Sequence, residues 1–486
     1  MRNILSANYR PAAAGLLAGF AFTSLFAGSA SATPPAFASS SNFQSSTNET
    51  IAPLEFLTGI SRSGYLLGDM WGLRPWLSKY GISLNISETS EVLGNATGGL
   101  GHGVDYDGLT QMSLQLETEK AFHLYGGTFN VSGLQIHGRN LSSDHLGTLQ
   151  TASGIESDRA TRLWELWYQQ KFLEEDRLDI KVGQQSLDQE FMVSQEALLF
   201  VNTMFGWPMV PSADMPGGGP AYPLSAPGVR VRVRPIDSLT FLAGVYSGSP
   251  APNDNPDPQQ ADPSGLSLPF NRGALAIAEL QYSYPALGSM VSADAANSLS
   301  GTYKIGGWYD TEHFDDESHD NTGLSLANPD TTGIPARHDG DYGFYAVMDQ
   351  MVWNDPHDED ADRSINFFAR AMGTPLENRN IIDFSLNAGF TFHEPIPHRG
   401  DDTLGIGMGY AKVSNDLSDL DRDTGGIPVR SGETFVELTY QYELTPWCQL
   451  QPDFQYVFNP GGGIANDAGN RVKDEAVFGV RMNIIF

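Results

Sequence analysis

Ile382-Asp383-Phe384-Ser385-Leu386-Asn387-Ala388-Gly389-Phe390-Thr391-Phe392-His393 decides the fold class. Apolar and polar residues alternate without a break across this stretch. Side chains alternate at that period only in an extended strand, so one face is greasy and the other wet. Ordinary strands run ~5–6 residues, whereas a membrane strand needs ~9–11 to cross at a tilt. A strand of this length with one apolar face is the unit of a transmembrane β-barrel.

The same period recurs along the chain. Ile82, Leu84 and Ile86 alternate with Ser83, Asn85 and Ser87, and Met112, Leu114 and Leu116 with Gln111, Ser113 and Gln115. The last stretch sets Phe478, Val480, Met482, Ile484 and Phe486 against Gly479, Arg481 and Asn483. About sixteen segments read this way: 82–92, 109–118, 127–137, 162–172, 178–184, 228–234, 239–246 and 274–284, then 301–309, 342–352, 364–372, 382–393, 403–412, 433–443, 447–458 and 475–486. In 127–137 the phase slips at Gly133, which predicts a bulge. In 342–352 the adjacent Asp349 and Gln350 leave the register open, because one of them must face outward.

The connections alternate too. They are long after odd-numbered segments, as in 93–108, 138–161, 185–227 and 310–341, and short after most even-numbered ones. Short periplasmic turns and long external loops give an up-and-down antiparallel barrel this asymmetry. Exceptions are 373–381 (short) and 285–300 (long). A soluble β-sandwich also shows period two, but its greasy faces turn inward and need only short strands. Here aromatics such as Tyr282, Tyr284, Tyr410, Tyr442, Tyr456 and Phe458 end the greasy faces, as interfacial girdles do.

Composition narrows the function. The chain has 486 residues, 28 basic against 58 acidic, and a net charge of −30, so it offers no basic footprint for nucleic acid. Its single cysteine, Cys448, excludes an intrachain disulfide and any cysteine cage for a metal. Arg2 and Arg10 precede an apolar run, Ala12 to Ala27, and Ala30-Ser31-Ala32 follows as a cleavage site of the A-x-A kind, with Ala36-Phe37-Ala38 as an alternative. Residues 1–32 therefore read as a secretory signal peptide. Residues 33–60 read as a flexible leader, and 61–81 as a short periplasmic helix segment capped by Asp69, with Leu73, Trp76 and Leu77 on its apolar face and Gly81 as its stop. The barrel is expected over 82–486.

Several motifs have plain readings. Gly405, Gly407 and Gly409 lie inside a strand with no helix after them, so they do not cradle phosphate; they leave an inner face bare. The acidic runs Asp315, Asp316, Glu317, Asp320 and Asp355, Asp358, Glu359, Asp360, Asp362 lack EF-hand spacing and read as solvated loops. The histidines form no zinc-protease spacing, and no nucleophile elbow is present. No metal, cofactor or catalytic site is expected.

Arg230, Arg232 and Arg234 alternate with Val229, Val231 and Val233, so all three arginines point into the lumen if the valines face lipid. They form either a structural ladder with neighbouring acids or a basic pore lining. By the same parity Glu165, Trp167, Trp308, Arg370, Asp383 and Glu437 face inward. Guanidinium, carboxylate and indole groups together suit a sugar, whose hydroxyls take planar polar partners and whose C–H face packs on an aromatic ring. The long loop 185–227 is the expected constriction, folding inward through a helix-like stretch from Gln189 to Phe200, then Phe205 and Trp207, with Gly217-Gly218-Gly219 as a hinge.

Dispersed segments in order resemble one family. They are Leu66-Leu67-Gly68-Asp69, Trp71-Gly72-Leu73-Arg74, Gly81-Ile82, Glu91-Val92-Leu93-Gly94-Asn95, Lys181-Val182-Gly183-Gln184, Tyr222-Pro223-Leu224, Lys304-Ile305-Gly306-Gly307-Trp308-Tyr309, Asp349-Gln350-Met351 and Phe458-Asn459-Pro460-Gly461-Gly462. Together they resemble carbohydrate-selective outer-membrane porins of the OprB type over essentially all of 64–486. Met70 departs from that pattern, where a tryptophan is common, and this bears only on helix packing. The resemblance implies a sixteen-stranded outer-membrane barrel that admits glucose and related sugars by diffusion, without energy coupling. It also implies outer-membrane lipid and the barrel-assembly machinery as partners, the latter reading the terminal Phe486. An outer-membrane barrel enzyme of lipase type and a secreted glycan-processing β-protein are the alternatives.

Overall fold

The computed structural model describes residues 64–486 except 254, 286–298, 356–362, 398 and 400. The signal peptide, the leader and the acids at 358–362 lie outside the described residues. Sixteen strands close on themselves, each antiparallel to its chain neighbours, with β1 pairing β16. The first eight are β1 Ile82–Thr97, β2 Gly103–Glu117, β3 Gly127–Gly138, β4 Ala160–Phe172, β5 Leu178–Gln185, β6 Ala226–Ile236, β7 Leu239–Tyr246 and β8 Leu275–Tyr284. The rest are β9 Gly301–Asp320, β10 Pro335–Asn354, β11 Ser364–Gly373, β12 Ile382–His393, β13 Thr403–Val413, β14 Gly432–Thr445, β15 Cys448–Phe458 and β16 Glu475–Ile485. Every expected segment is a strand, because strict alternation is satisfied at once by lipid outside and a polar interior inside. Among the described residues no helix is long and apolar enough to cross a membrane.

Some expectations need correction. The connection expected at 93–108 shrinks to 98–102, since β1 and β2 zip up through Asn95 and Gly103. β9 and β10 run on as a paired hairpin, so Asp315, Asp316, Glu317 and Asp320 lie on a strand and not in a loop. Asp316 is buried there and takes hydrogen bonds from the Ser318 amide at 2.9 Å and the His338 ring at 2.8 Å. The bulge sits on β4, opposite Ser132, where Val131 faces Leu166 and Gly133 faces Leu163. β3 itself keeps its phase, so Leu134 and Ile136 turn inward and pack with Leu109, Ile155, Trp164 and Tyr222. In β10, Asp349 faces inward, and Gln350 faces out as the acceptor of a hydrogen bond from Tyr303.

The N-terminal helix α1, Leu73–Ser78, is a single short piece whose cap is Gly72 at φ 89°, not Asp69. Trp76 is 53% exposed, so its apolar face is not covered by the barrel. Arg74 ties the helix across the β1–β16 seam, donating to the carbonyl oxygens of Leu84 and Phe486 and stacking 3.8 Å from the Tyr65 ring centroid. The loop between β5 and β6 contains no single helix over 189–200. It has tight turns at Leu187–Gln189 and Glu196–Leu199, followed by the short helices α2, Thr203–Gly206, and α3, Met209–Asp214.

Candidate functional site: the inner wall and the loop across it

The 186–225 loop folds into the barrel. Leu187, Phe191, Met192, Phe200, Met204, Phe205, Trp207 and Met209 are fully buried against inward residues of the wall, among them Leu242, Tyr246, Ile277, Tyr345, Phe368 and Phe435. Phe205 meets Phe368 and Phe435 edge-on, with centroids 5.7 and 5.3 Å apart. The glycine row of β13 makes this possible, and the expectation of a bare face is corrected. A Cβ on Gly405 would lie 2.7 Å from Leu199, and one on Gly407 2.7 Å from Phe205.

Polar wall residues fasten the same loop strand by strand. Glu279 accepts from the Met192 amide at 2.8 Å, Lys304 donates to the Val193 carbonyl at 2.6 Å, and Asp349 accepts from Ser194 and from the Gln195 amide. Glu437 takes the Val201 and Asn202 amides at 2.6 and 3.0 Å. Arg370, 1% exposed, donates to the carbonyl oxygens of Met192, Met204, Phe205 and Gly206 at 2.5–3.0 Å. A buried guanidinium has five donors to satisfy, and a chain turning over it supplies acceptors in quantity. Arg370 and Glu437 thus hold the loop. Trp308, also buried, packs in the same apolar cluster. Asp383 stands apart near the outer end of β12, ion-paired with Lys412.

Four of the expected residues meet on β4–β6. Glu165, Trp167, Arg230 and Arg232 all face inward there. Asp179 lies opposite Arg232 in the ladder and pairs with both Arg230 and Arg232. Glu190, from the loop, pairs with Arg230 and Lys181. Burial alone would push the Glu190 carboxyl up, but Arg230 and Lys181 prevail and hold it down at about 2. Lys181 sits 4.5 Å over the Trp167 ring, Gln169 donates to Asp179 at 3.1 Å, and Glu165 accepts from the Ser186 amide at 3.1 Å. Arg234 lies lower, donating to the Glu175 carbonyl at the periplasmic turn. Arg230 and Arg232 therefore form a ladder neutralised by acids, set beside an indole, and Arg234 stands below it.

Asp179 and Lys181 were within reach of the sequence, since Leu178-Asp179-Ile180-Lys181-Val182 has the same parity as the arginine row. Glu190 was not: it belongs to an irregular loop, where no period says which side chain turns back. Among the described residues no cluster of three or more histidine, cysteine or acidic side chains is arranged to hold a metal ion.

A model of the carbohydrate-selective porin family, OprB, matches residues 101–486. Porin B of Pseudomonas aeruginosa is 24% identical over 452 residues, covering 87% of this chain and 92% of that protein. The putative porin QuiX of Acinetobacter baylyi is 23% identical over 453 residues, covering 87% and 93%. The high-pH structure of Pseudomonas putida OprB has the same fold, with a TM-score of 0.74 at 22% identity over 88% of this chain and 99% of that one.

Proposed function

The chain belongs to the carbohydrate-selective porin family, OprB, of the outer membrane, and on that premise we propose that it passes glucose and related sugars by diffusion into the periplasm. One observation supports this beyond family membership. The β4–β6 wall gathers acids, guanidiniums, an amide and Trp167 in a single inward patch, beside a loop that narrows the lumen. Sugar hydroxyls both donate and accept, so a balanced set of acids and arginines serves them where a row of one sign would favour ions. Contacts of this kind must stay weak, around millimolar or about −4 kcal/mol, because a tight site delays exit.

Residues 1–32 as an export signal, lipid around the apolar face, and an assembly machinery that reads Phe486 belong to the same proposal. Deleting Phe486 leaves unassembled chain in the periplasm; insertion at the normal level would contradict the terminal-signal part. Liposome swelling tests the transport reading. Glucose should enter faster than neutral amino acids of similar mass, at a rate linear in the gradient and unmoved by uncouplers. Equal rates for all small neutral solutes would make the channel a general pore.

A further inference from the structure

Several buried acids of the inner wall have a cationic partner. Asp179 meets Arg230 and Arg232, Glu91 meets Arg481, and Asp383 meets Lys412. Others take loop amides, as Glu433 does from Leu149, Gln150 and Gly461. Asp310 and Asp341 are different. They stand directly opposite each other in the β9–β10 ladder, level with Leu275 at the outer end of β8, and both are fully buried. Like charges facing across a ladder repel, and burial without a partner adds the cost of lost hydration.

Each of the two carboxylates is half satisfied. Asp310 Oδ1 accepts from the Glu312 amide at 2.8 Å, and Asp341 Oδ1 from the side-chain amide of Asn380 at 3.0 Å. Asp310 Oδ2 and Asp341 Oδ2 are buried with no hydrogen-bond donor. So is Asn380 Oδ1, on a fully buried side chain just before β12 that also donates to Thr374 Oγ1 at 3.0 Å. Among the described residues no lysine, arginine or histidine pairs with either aspartate. Arg379 donates instead to the carbonyl oxygens of Asp339 and Gly340, and Arg272 lies 3.7 Å from Glu312. The β9–β10 pairing slips between Asp339 and Asp341, so Asp339 is exposed while Asp341 turns in. Buried polar atoms without partners are rare, and three on side chains that touch or face one another ask for a common one.

We propose that Asp310, Asp341 and Asn380 bind a calcium ion. The two carboxylates supply the charge that a divalent cation neutralises, and the amide oxygen is a third ligand where a third acid is lacking. Calcium accepts ~6–8 oxygens of mixed carboxylate, amide and main-chain type in flexible geometry, whereas magnesium dehydrates reluctantly and suits a buried site poorly. The set holds no histidine or cysteine, the side chains that zinc favours. The ion also reaches the inserted loop. Asp214, the last residue of α3, accepts from the amides of Ile381 and Ile382 at 2.9 and 3.2 Å, so the residues that follow Asn380 tie the site to that loop.

The full chain in detergent, stripped with EGTA and titrated with calcium by calorimetry, should bind one ion per chain. Replacing Asp310→Asn and Asp341→Asn together keeps the side-chain shapes and removes both charges, and it should weaken binding at least tenfold. Asp419→Asn, which breaks an exposed pair with Arg422, should leave binding unchanged. Wild-type crystals grown with calcium should show an anomalous peak between Asp310 and Asp341, an arm that decides the matter even where the double variant does not assemble. None of these readouts depends on sugar permeation, so failure here is separate from failure of the transport reading. No binding at millimolar calcium, binding unmoved by the double change, or an anomalous peak confined to other places would each overturn the proposal.

Discussion

Two stretches of the inner wall, β4–β6 and β11–β14, follow the same alternation and carry the same residue types, yet they find different partners. On β11–β14 the polar side chains meet main chain: Arg370 takes four carbonyl oxygens and Glu437 two amides, all from the inserted loop. On β4–β6 Arg230 and Arg232 meet the carboxylates of Asp179 and Glu190, beside Trp167. Main-chain partners are fixed in place, so the first wall is a fastening. Side-chain partners can exchange for a hydroxyl, so the proposed function places its solute contacts on the second. Inward parity alone is no evidence of solute contact.

Both walls depend on one register, and breaking it should have the largest effect. Leu386→Arg puts a charge into hydrocarbon at a cost of about 2–4 kcal/mol. Heat-modifiable, folded protein in the outer membrane should fall to a small fraction of wild type. Normal assembly would show that β12 does not face lipid through Leu386.

The fastening wall comes next. Arg370→Ala strips four carbonyl groups of a charged donor worth ~1.5–3 kcal/mol each, partly offset because a guanidinium no longer has to be buried. A net loss of about 2–4 kcal/mol should free the loop without unfolding the barrel. Single-channel recordings should show larger, noisier currents, and added protease should cut within 186–225. Gly407→Leu should act in the same direction more mildly, by ~1–3 kcal/mol of overpacking against Phe205. Quiet wild-type currents in both variants would mean the loop is held by something else.

Glu190 joins the loop to the binding wall and makes a pH test. Its carboxyl is held at about 2, below the unfolded value of ~4.3, so the stabilisation it brings is complete above the unfolded value. It should be lost as pH falls from about 4 toward 2. Conductance should stay steady down to about pH 4 and rise below it, and Glu190→Gln should remove that step. A step of the same size in the Glu190→Gln channel would assign it to other carboxylates.

The strands and their faces were legible because lipid and water impose period two directly on the residues. Lengths were less so: nothing in Gly94-Asn95 or Asp315-Asp316 says that pairing continues, since outside the membrane a strand has no apolar face to keep. The loop's inward course was foreshadowed by its length and by Phe205 and Trp207. Its short turns were not, because the fixings come from Glu279, Lys304, Asp349 and Glu437 on strands far away in sequence. The arginine row showed its direction but not its neutralisation, which depends on Glu190 turning back from an irregular segment. The glycine row of β13 read as emptiness, when the space belongs to Phe200 and Phe205.

The most direct test is block of ion current by glucose in planar bilayers, comparing wild type with Trp167→Ala and with Arg230→Ala. Wild type should be blocked with millimolar affinity. Trp167→Ala should weaken the block several-fold, by about 0.5–1.5 kcal/mol, with conductance little changed. Arg230→Ala leaves Asp179 and Glu190 in excess, so it should shift selectivity toward cations and weaken the block as well. If both variants keep wild-type block and selectivity while Arg370→Ala abolishes the block, the sugar meets the loop wall and not β4–β6, and the assignment of the two walls is reversed.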